Sequence, residues 1–308
     1  MQSVTAIDGV DIAVYELGSS GPPLVMAHAT GLHGRVWSPV AARLSERFRC
    51  VAFDERGHGD SGLPPGLDFD WRGFGRDVLA VLDGLGLQRP FGVGHSCGGA
   101  ALVLAEQARP GTFRALWCYE PVIWAFAPTG EAGEQAGEGL PPFAAGGESG
   151  GLYAMQNPMA EIARRRREVF ASRREAFDTY ASKPPFDTCA PEALWAYVEH
   201  GFEDLADGTV RLKCRRENEA RVFELGAAHN AYAWLPEMRC PVGLAFGAAG
   251  EGPLGEANAA ALAARLPRAR VEAMAGLTHF GPLEDPERVA EAAAAFFASL
   301  SAEDPSPA

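Results

Sequence analysis

Short apolar runs alternate with stretches of helical periodicity along the first part of the chain, and the rhythm returns near its end. Leu24 to Ala27, Cys50 to Phe53, Pro90 to Val93 and Arg114 to Tyr119 have the length and flanking turn residues of buried strands. The patterns around Trp37 to Leu44, Trp71 to Leu85 and Cys97 to Ala108 between them read as helices. Two alternating segments, Ser3 to Ile7 and Asp11 to Leu17, precede this series and are joined by a turn at Asp8-Gly9. After a long interruption come a strand at Val242 to Phe246, a helix over 255–266, a strand at Arg270 to Met274 and a final helix from Pro286. Strand and helix in alternation predict an α/β fold, a mostly parallel central sheet flanked by helices.

The interruption has a different texture. From Pro128 to Gly151 the chain is rich in Gly, Ala, Glu and Pro, which predicts a mobile loop or hinge. Helices are expected at about 158–171, 173–181, 191–204 and 216–226, with an extended piece from Thr209 to Lys213. The domain plan is a core of residues 1–122 and 236–300, a helical insertion over 123–235, and a frayed tail at 301–308.

Composition narrows the function classes. The chain has 308 residues, 47% of them hydrophobic, and a formal net charge of −13. That suits a globular protein with a sizeable core and argues against nucleic acid or an anionic membrane surface as partner. No apolar stretch approaches the roughly 20 residues that span a bilayer, and the amino terminus lacks a leader pattern, so a cytoplasmic protein is expected. The six cysteines (50, 97, 118, 189, 214 and 240) are scattered, without a CxxC pair or clustered histidines. Free thiols are expected, and neither a metal nor another cofactor. Oligomeric state leaves no signature.

The chemistry concentrates in a few places. Gly94-His95-Ser96-Cys97-Gly98 fits G-x-S-x-G and falls between a strand and a helix, where a sharp turn exposes a serine hydroxyl. The overlapping Gly92-x-Gly94-x-x-x-Gly98 lacks dinucleotide-binding spacing. His279 lies in a short loop after a late strand, within Gly276-Leu277-Thr278-His279. A serine hydroxyl needs such a base to take its proton. Two further segments stand out: His28-Ala29-Thr30-Gly31 after a strand, and Asp54-Glu55-Arg56-Gly57-His58-Gly59-Asp60-Ser61.

With these four motifs the chain resembles the α/β-hydrolase superfamily, in its cap-bearing, esterase-like branch of serine hydrolases. The resemblance covers nearly everything outside the insertion. It implies Ser96 as nucleophile, His279 as general base, and structural roles for His58 and His95. It places the oxyanion donors at the N–H of Cys97 and of Thr30, with Ala29 as the alternative; Ala29 itself stands where the family usually has glycine. The acid has two candidates. The family's usual G-x-x-D reads here Gly247-Ala248-Ala249-Gly250, with Glu251 one place late. Glu120 closes an apolar strand, the position from which some haloalkane dehalogenases of similar fold draw a glutamate, and a carboxylate there needs a partner to offset desolvation. Glu120 is favoured.

The insertion is read as a lid. Trp37, Trp124 and Phe126 are candidate substrate contacts, with Phe143, Trp195, Tyr197, Phe202, Phe223 and Tyr232 as further candidates for its inner face. Arg164 to Arg167 reads as a solvated helix face paired with Glu161 and Glu168. His33, His200 and His229 read as ordinary polar residues. The expected activity is hydrolysis of an ester, thioester or lactone of a small to medium hydrophobic molecule through an acyl-enzyme. Acyl transfer, cyclisation or carbon–carbon bond hydrolysis by the same residues is the alternative, and a non-catalytic ligand receptor on the same fold is the reading from another class.

Overall fold

A computed structural model describes residues 2–64, 66, 68–125, 158–226, 228–250 and 252–303. Eight strands form one sheet: β1 (Gln2–Thr5), β2 (Asp11–Glu16), β3 (Pro23–Ala27), β4 (Arg49–Phe53), β5 (Phe91–His95), β6 (Ala115–Tyr119), β10 (Val242–Gly247) and β11 (Ala269–Met274). Their order is β1-β2-β4-β3-β5-β6-β10-β11. The pairings of β1 with β2 and of β2 with β4 are antiparallel, and those from β4 to β11 are parallel. The expected mostly parallel sheet is therefore present.

Helices cover both faces, as a parallel sheet requires. On one face α1 (Ser38–Leu44) and the C-terminal helix α11 (Pro286–Glu303) pack around Trp37, Phe91, Trp117 and Phe297. On the other lie α2 (Trp71–Gly84), α3 (Cys97–Ala108) and α9 (Glu256–Ala263), around Phe53, Phe74, Leu104 and Leu116. Asp70 caps α2 by accepting the Arg72 N–H at 3.0 Å. No helix among the described residues is long and apolar enough to cross a membrane.

Register decides where the chemistry can go. Ala27 pairs with Gly94, His95 with Tyr119, and Tyr119 with Ala245. The residues following these strands, His28, Ser96, Glu120 and the loop from Gly247, therefore leave the sheet along one carboxyl edge. The strand order reverses between β3 and β5, and ligand crevices in open α/β sheets form outside such a switch point.

Between β6 and β10 the chain forms α4 (Pro158–Arg164), β7 (Val169–Phe170), α5 (Arg173–Ala181), α6 (Pro191–Gly201), β8 (Phe202–Asp204), β9 (Val210–Leu212), α7 (Arg216–Glu224) and α8 (Ala231–Trp234). The expected helices over 158–171 and 191–204 are both too long. Each ends early, and the residues beyond join a three-stranded sheet ordered β7-β9-β8. A hairpin turn at Asp207-Gly208, with Gly208 at φ 85°, lets β8 pair with β9. The hinge expected at 128–151 lies outside the described residues.

The arginine run also departs from expectation. Arg164, Arg165 and Arg167 lie on the surface: Arg164 pairs with Glu161, Glu217 and Glu224, and Arg167 with Glu175. Glu168 instead pairs with Arg215 at 2.8 Å. Arg166 points inward, because α4 ends two residues earlier and the backbone turns beneath α7. All six cysteines are free, five of them buried.

Candidate functional site

Ser96 has φ 55° and ψ −115°, a left-handed backbone that L-residues rarely hold. Its neighbours explain how the turn closes. A Cβ on Gly94 would meet the Gly99 Cα at 2.6 Å, and one on Gly98 would overlap the Ala27 carbonyl. These glycines let α3 start directly against β3 and β5. The backbone is then pinned: the Ser96 N–H donates to the Tyr119 carbonyl at 2.9 Å, and the Val122 N–H to the Ser96 carbonyl at 3.1 Å. Cys97 is the first residue of α3, so its N–H has no acceptor within the helix.

The loop after β3 lies against this turn. The Gly98 N–H donates to the His28 carbonyl at 3.0 Å. The Thr30 side chain lies beside the Cys97 thiol, so the two segments expected to hold an oxyanion are adjacent. The His28 ring accepts the Glu55 N–H on Nε2 at 2.8 Å, which leaves Nδ1–H to donate to the Ala29 carbonyl at 2.8 Å. Burial pushes this imidazole well below its ordinary value, so it is a neutral joint between β3 and β4.

The Asp54–Ser61 segment is scaffold. The Asp54 carboxylate accepts from the Gly34 N–H (2.6 Å), the Asp60 N–H (2.7 Å) and the Tyr15 hydroxyl (2.6 Å). Arg56 makes two 2.6 Å bonds to the buried Asp77 of α2. His58 Nδ1–H donates to the Arg56 carbonyl (3.0 Å) and sets its ring edge-on to His28, and burial pushes it down to about 4.

Glu120 leaves β6 with φ 41° and is 4% exposed. Its Oε1 accepts the Gly247 N–H at 2.8 Å, and its Oε2 lies 2.6 Å from His279 Nδ1. With the carboxylate accepting, Nδ1 carries the proton and Nε2 keeps a free lone pair. The histidine loop is held on every side. His95 Nε2 donates to the His279 carbonyl (2.8 Å), with the rings 4.9 Å apart, and Tyr119 Oη donates to the Thr278 carbonyl (2.7 Å). Glu284 accepts from the Thr278 N–H and hydroxyl, both at 2.7 Å. Burial and the neighbouring His279 push the His95 imidazole well down, which keeps it neutral.

The structure thus brings together Ser96, Cys97, Thr30, His279 and Glu120 at one edge of the sheet. Glu251 and Phe126 lie outside the described residues. Ala29 is 6% exposed, its carbonyl occupied by His28 and by the Leu32 N–H. Trp37 is 1% exposed in the core beneath the site. Trp124 follows β6 and donates to the Gly226 carbonyl at 3.2 Å, joining the core to the segment after α7. Tyr197 and Phe202 belong to the packed interior, whereas Trp195 is 40% exposed and sits edge-on to Phe177.

Two histidines read as ordinary polar residues are in fact joints between distant segments, His33 buried and His229 partly so. His33 stacks on Tyr197 and bonds its carbonyl at 3.0 Å, and burial pushes it to about 3. His229 stacks on Trp71 and donates to the Val122 carbonyl at 2.9 Å. No local pattern marks either one, since both partners are distant in sequence.

A family model described as alpha/beta hydrolase family matches residues 24–292. Among curated relatives, an uncharacterized protein of Mycobacterium tuberculosis is 36% identical over 88 residues, 28% of this chain and 25% of that one. A non-heme haloperoxidase of Rhodococcus erythropolis is 36% identical over 143 residues, 46% of this chain and 50% of that one. The matched stretches thus span a quarter to a half of these relatives' lengths. Among solved structures, E-2-(acetamidomethylene)succinate hydrolase superposes with a TM-score of 0.75 at 21% identity, covering 96% of this chain and 98% of that one. An esterase from Thermogutta terrifontis gives 0.68 at 18% identity, covering 97% and 98%. At these identities the likeness is one of fold.

Proposed function

Since the chain belongs to the alpha/beta hydrolase family, we propose that it is a serine hydrolase that cleaves a carboxylic ester, thioester or lactone through an acyl-enzyme. The observation that carries this reading is the 2.6 Å contact of Glu120 Oε2 with His279 Nδ1, at the same sheet edge as the left-handed Ser96. The Ser96 hydroxyl attacks the substrate carbonyl while His279 Nε2 takes its proton. Charge develops on the carbonyl oxygen, and the N–H groups of Cys97 and Thr30 stabilise it. The imidazolium, stabilised by Glu120, then gives its proton to the departing alcohol or thiol as the carbon–heteroatom bond breaks. Water, deprotonated by the same nitrogen, attacks the acyl-enzyme, releases the acid and restores Ser96.

Residues 123–235 act in this reading as a cap over the catalytic edge, a role supported by contacts of its second half with the core. Asn218 reaches the Gly57 carbonyl at 3.3 Å, and Lys213 pairs with Asp60 at 2.6 Å. The substrate is a small molecule, with an apolar acyl or alcohol part suited to an aromatic-rich cap.

The test is Ser96→Ala. It should lose labelling by a fluorophosphonate probe and all turnover of chromogenic esters, with an unchanged melting temperature. Full labelling or turnover in the variant would mean that another residue carries the chemistry.

A further inference from the structure

The loop that supplies Thr30 is gripped from the far side by a charged group belonging to the insert. Gly31 follows Thr30 with φ 79°, and a Cβ there would lie 2.6 Å from Glu219 Oε1 and 3.2 Å from Arg166 Nη1. Arg166, just past α4, makes an ion pair with Glu219 of α7. It also donates to the hydroxyls of Tyr197 at 2.6 Å and Tyr180 at 3.2 Å. The Gly31 backbone lies beside the thiol of the buried Cys214. Two residues further on, His33 is stacked on Tyr197. The segment 31–33 is thus held at both ends by the insert.

We propose that Arg166 and Glu219 are positioning residues that fix Gly31 and thereby aim the Thr30 N–H at the substrate oxygen. This rests on the serine-hydrolase reading above. An oxyanion donor is effective only when it is held where charge develops, before the charge is there. The turn that carries Thr30 is closed by the Leu32 N–H on the Ala29 carbonyl at 3.1 Å, with Gly31 at its positive-φ corner, so whatever presses on Gly31 bears on the Thr30 peptide. A mostly buried ion pair costs desolvation, and packing alone would be served as well by apolar side chains. Its two phenolic acceptors and its direct approach to Gly31 give the pair a geometric task. It also ties the cap to the donor, so a cap displaced from the core leaves the oxyanion site incomplete.

Two variants and one added readout test this. Glu219→Gln keeps the shape but removes the charge that orients Arg166. The double variant Arg166→Met with Glu219→Leu removes both charges and leaves neither one buried alone. Each is assayed per active site, counted by exhaustive fluorophosphonate titration, for kcat, KM, melting temperature and inhibition by a trifluoromethyl ketone. Both should lose about tenfold or more in kcat with KM changed less than twofold. The ketone, whose adduct carries the oxyanion, should weaken in parallel. A merely structural pair would lower the melting temperature and leave kcat per titrated site and ketone affinity unchanged, which would overturn the proposal. If Glu219→Gln does not fold, the double variant decides alone. Wild-type protein that neither labels nor turns over esters would instead overturn the serine-hydrolase reading on which the inference rests.

Discussion

The carboxylate beside His279 is the one that closes an apolar strand. A buried acid must have a partner, and Glu120 has two: the Gly247 N–H and the imidazole. That signal is legible in sequence because an acid directly after five apolar or aromatic residues is conspicuous. Glu120→Gln should therefore lose several orders of magnitude in kcat, up to about 10⁴, by releasing the histidine into its other tautomer. Glu251→Gln should stay within a few-fold. Kinetics of the two variants, each checked by thermal melt, compare them directly, and a large loss confined to Glu251→Gln would reverse the assignment. Arg166 was illegible for the opposite reason. One inward arginine in a run of four looks like its neighbours until the helix end is known, and helix ends depend on tertiary pairing.

Among the elements, the strand–turn–helix at β5–α3 was readable because its glycines answer to close approach and not to substrate. Gly98→Ala must force α3 away from the Ala27 carbonyl, costing at least about 1–3 kcal/mol by the usual scale of overpacking. Gly62→Ala has only ordinary contacts, the nearest at 3.8 Å, and should cost well under that. Urea midpoints of the two variants test the contrast, and equal midpoints would mean that the turn relaxes freely. The small sheet of the insert shows the limit of local reading. Val169–Phe170 is two residues long, too short for any period, and is a strand only because β9 lies beside it. The Asp207-Gly208 turn was the available clue, since Asp-Gly between short runs favours a hairpin.

Across the whole molecule, neutral buried imidazoles join segments far apart in sequence, and this gives stability a pH dependence. His58 is pushed down to about 4 by burial, against about 6.5 in an unfolded chain. Between these values the unfolded state binds the proton and the folded state does not. The contribution is therefore full above pH 6.5 and is lost as pH falls towards 4, up to about 3 kcal/mol. Relative to His58→Gln, the wild type should lose more stability between pH 7 and pH 4.5, as read by urea unfolding at both. A constant gap would show that His58 takes up its proton as readily in the folded protein as in the unfolded chain. Buried acids such as Asp54, pushed up to about 6, oppose the overall trend, which is why a single-site difference is the measurement.

The contact between Glu120 and His279 closes a loop of 159 residues, most of it the insert. Chain-closure entropy grows only with the logarithm of length, so doubling such a loop costs about 0.6 kcal/mol more. The strands that hold the two ends are fixed by sheet pairing whatever the excursion between them contains. Residues can thus be added to or taken from the middle of the insert at almost no entropic expense to the Glu120–His279 contact. On the proposed reading, the middle of the insert can change in length while Ser96, Glu120 and His279 stay where the sheet puts them.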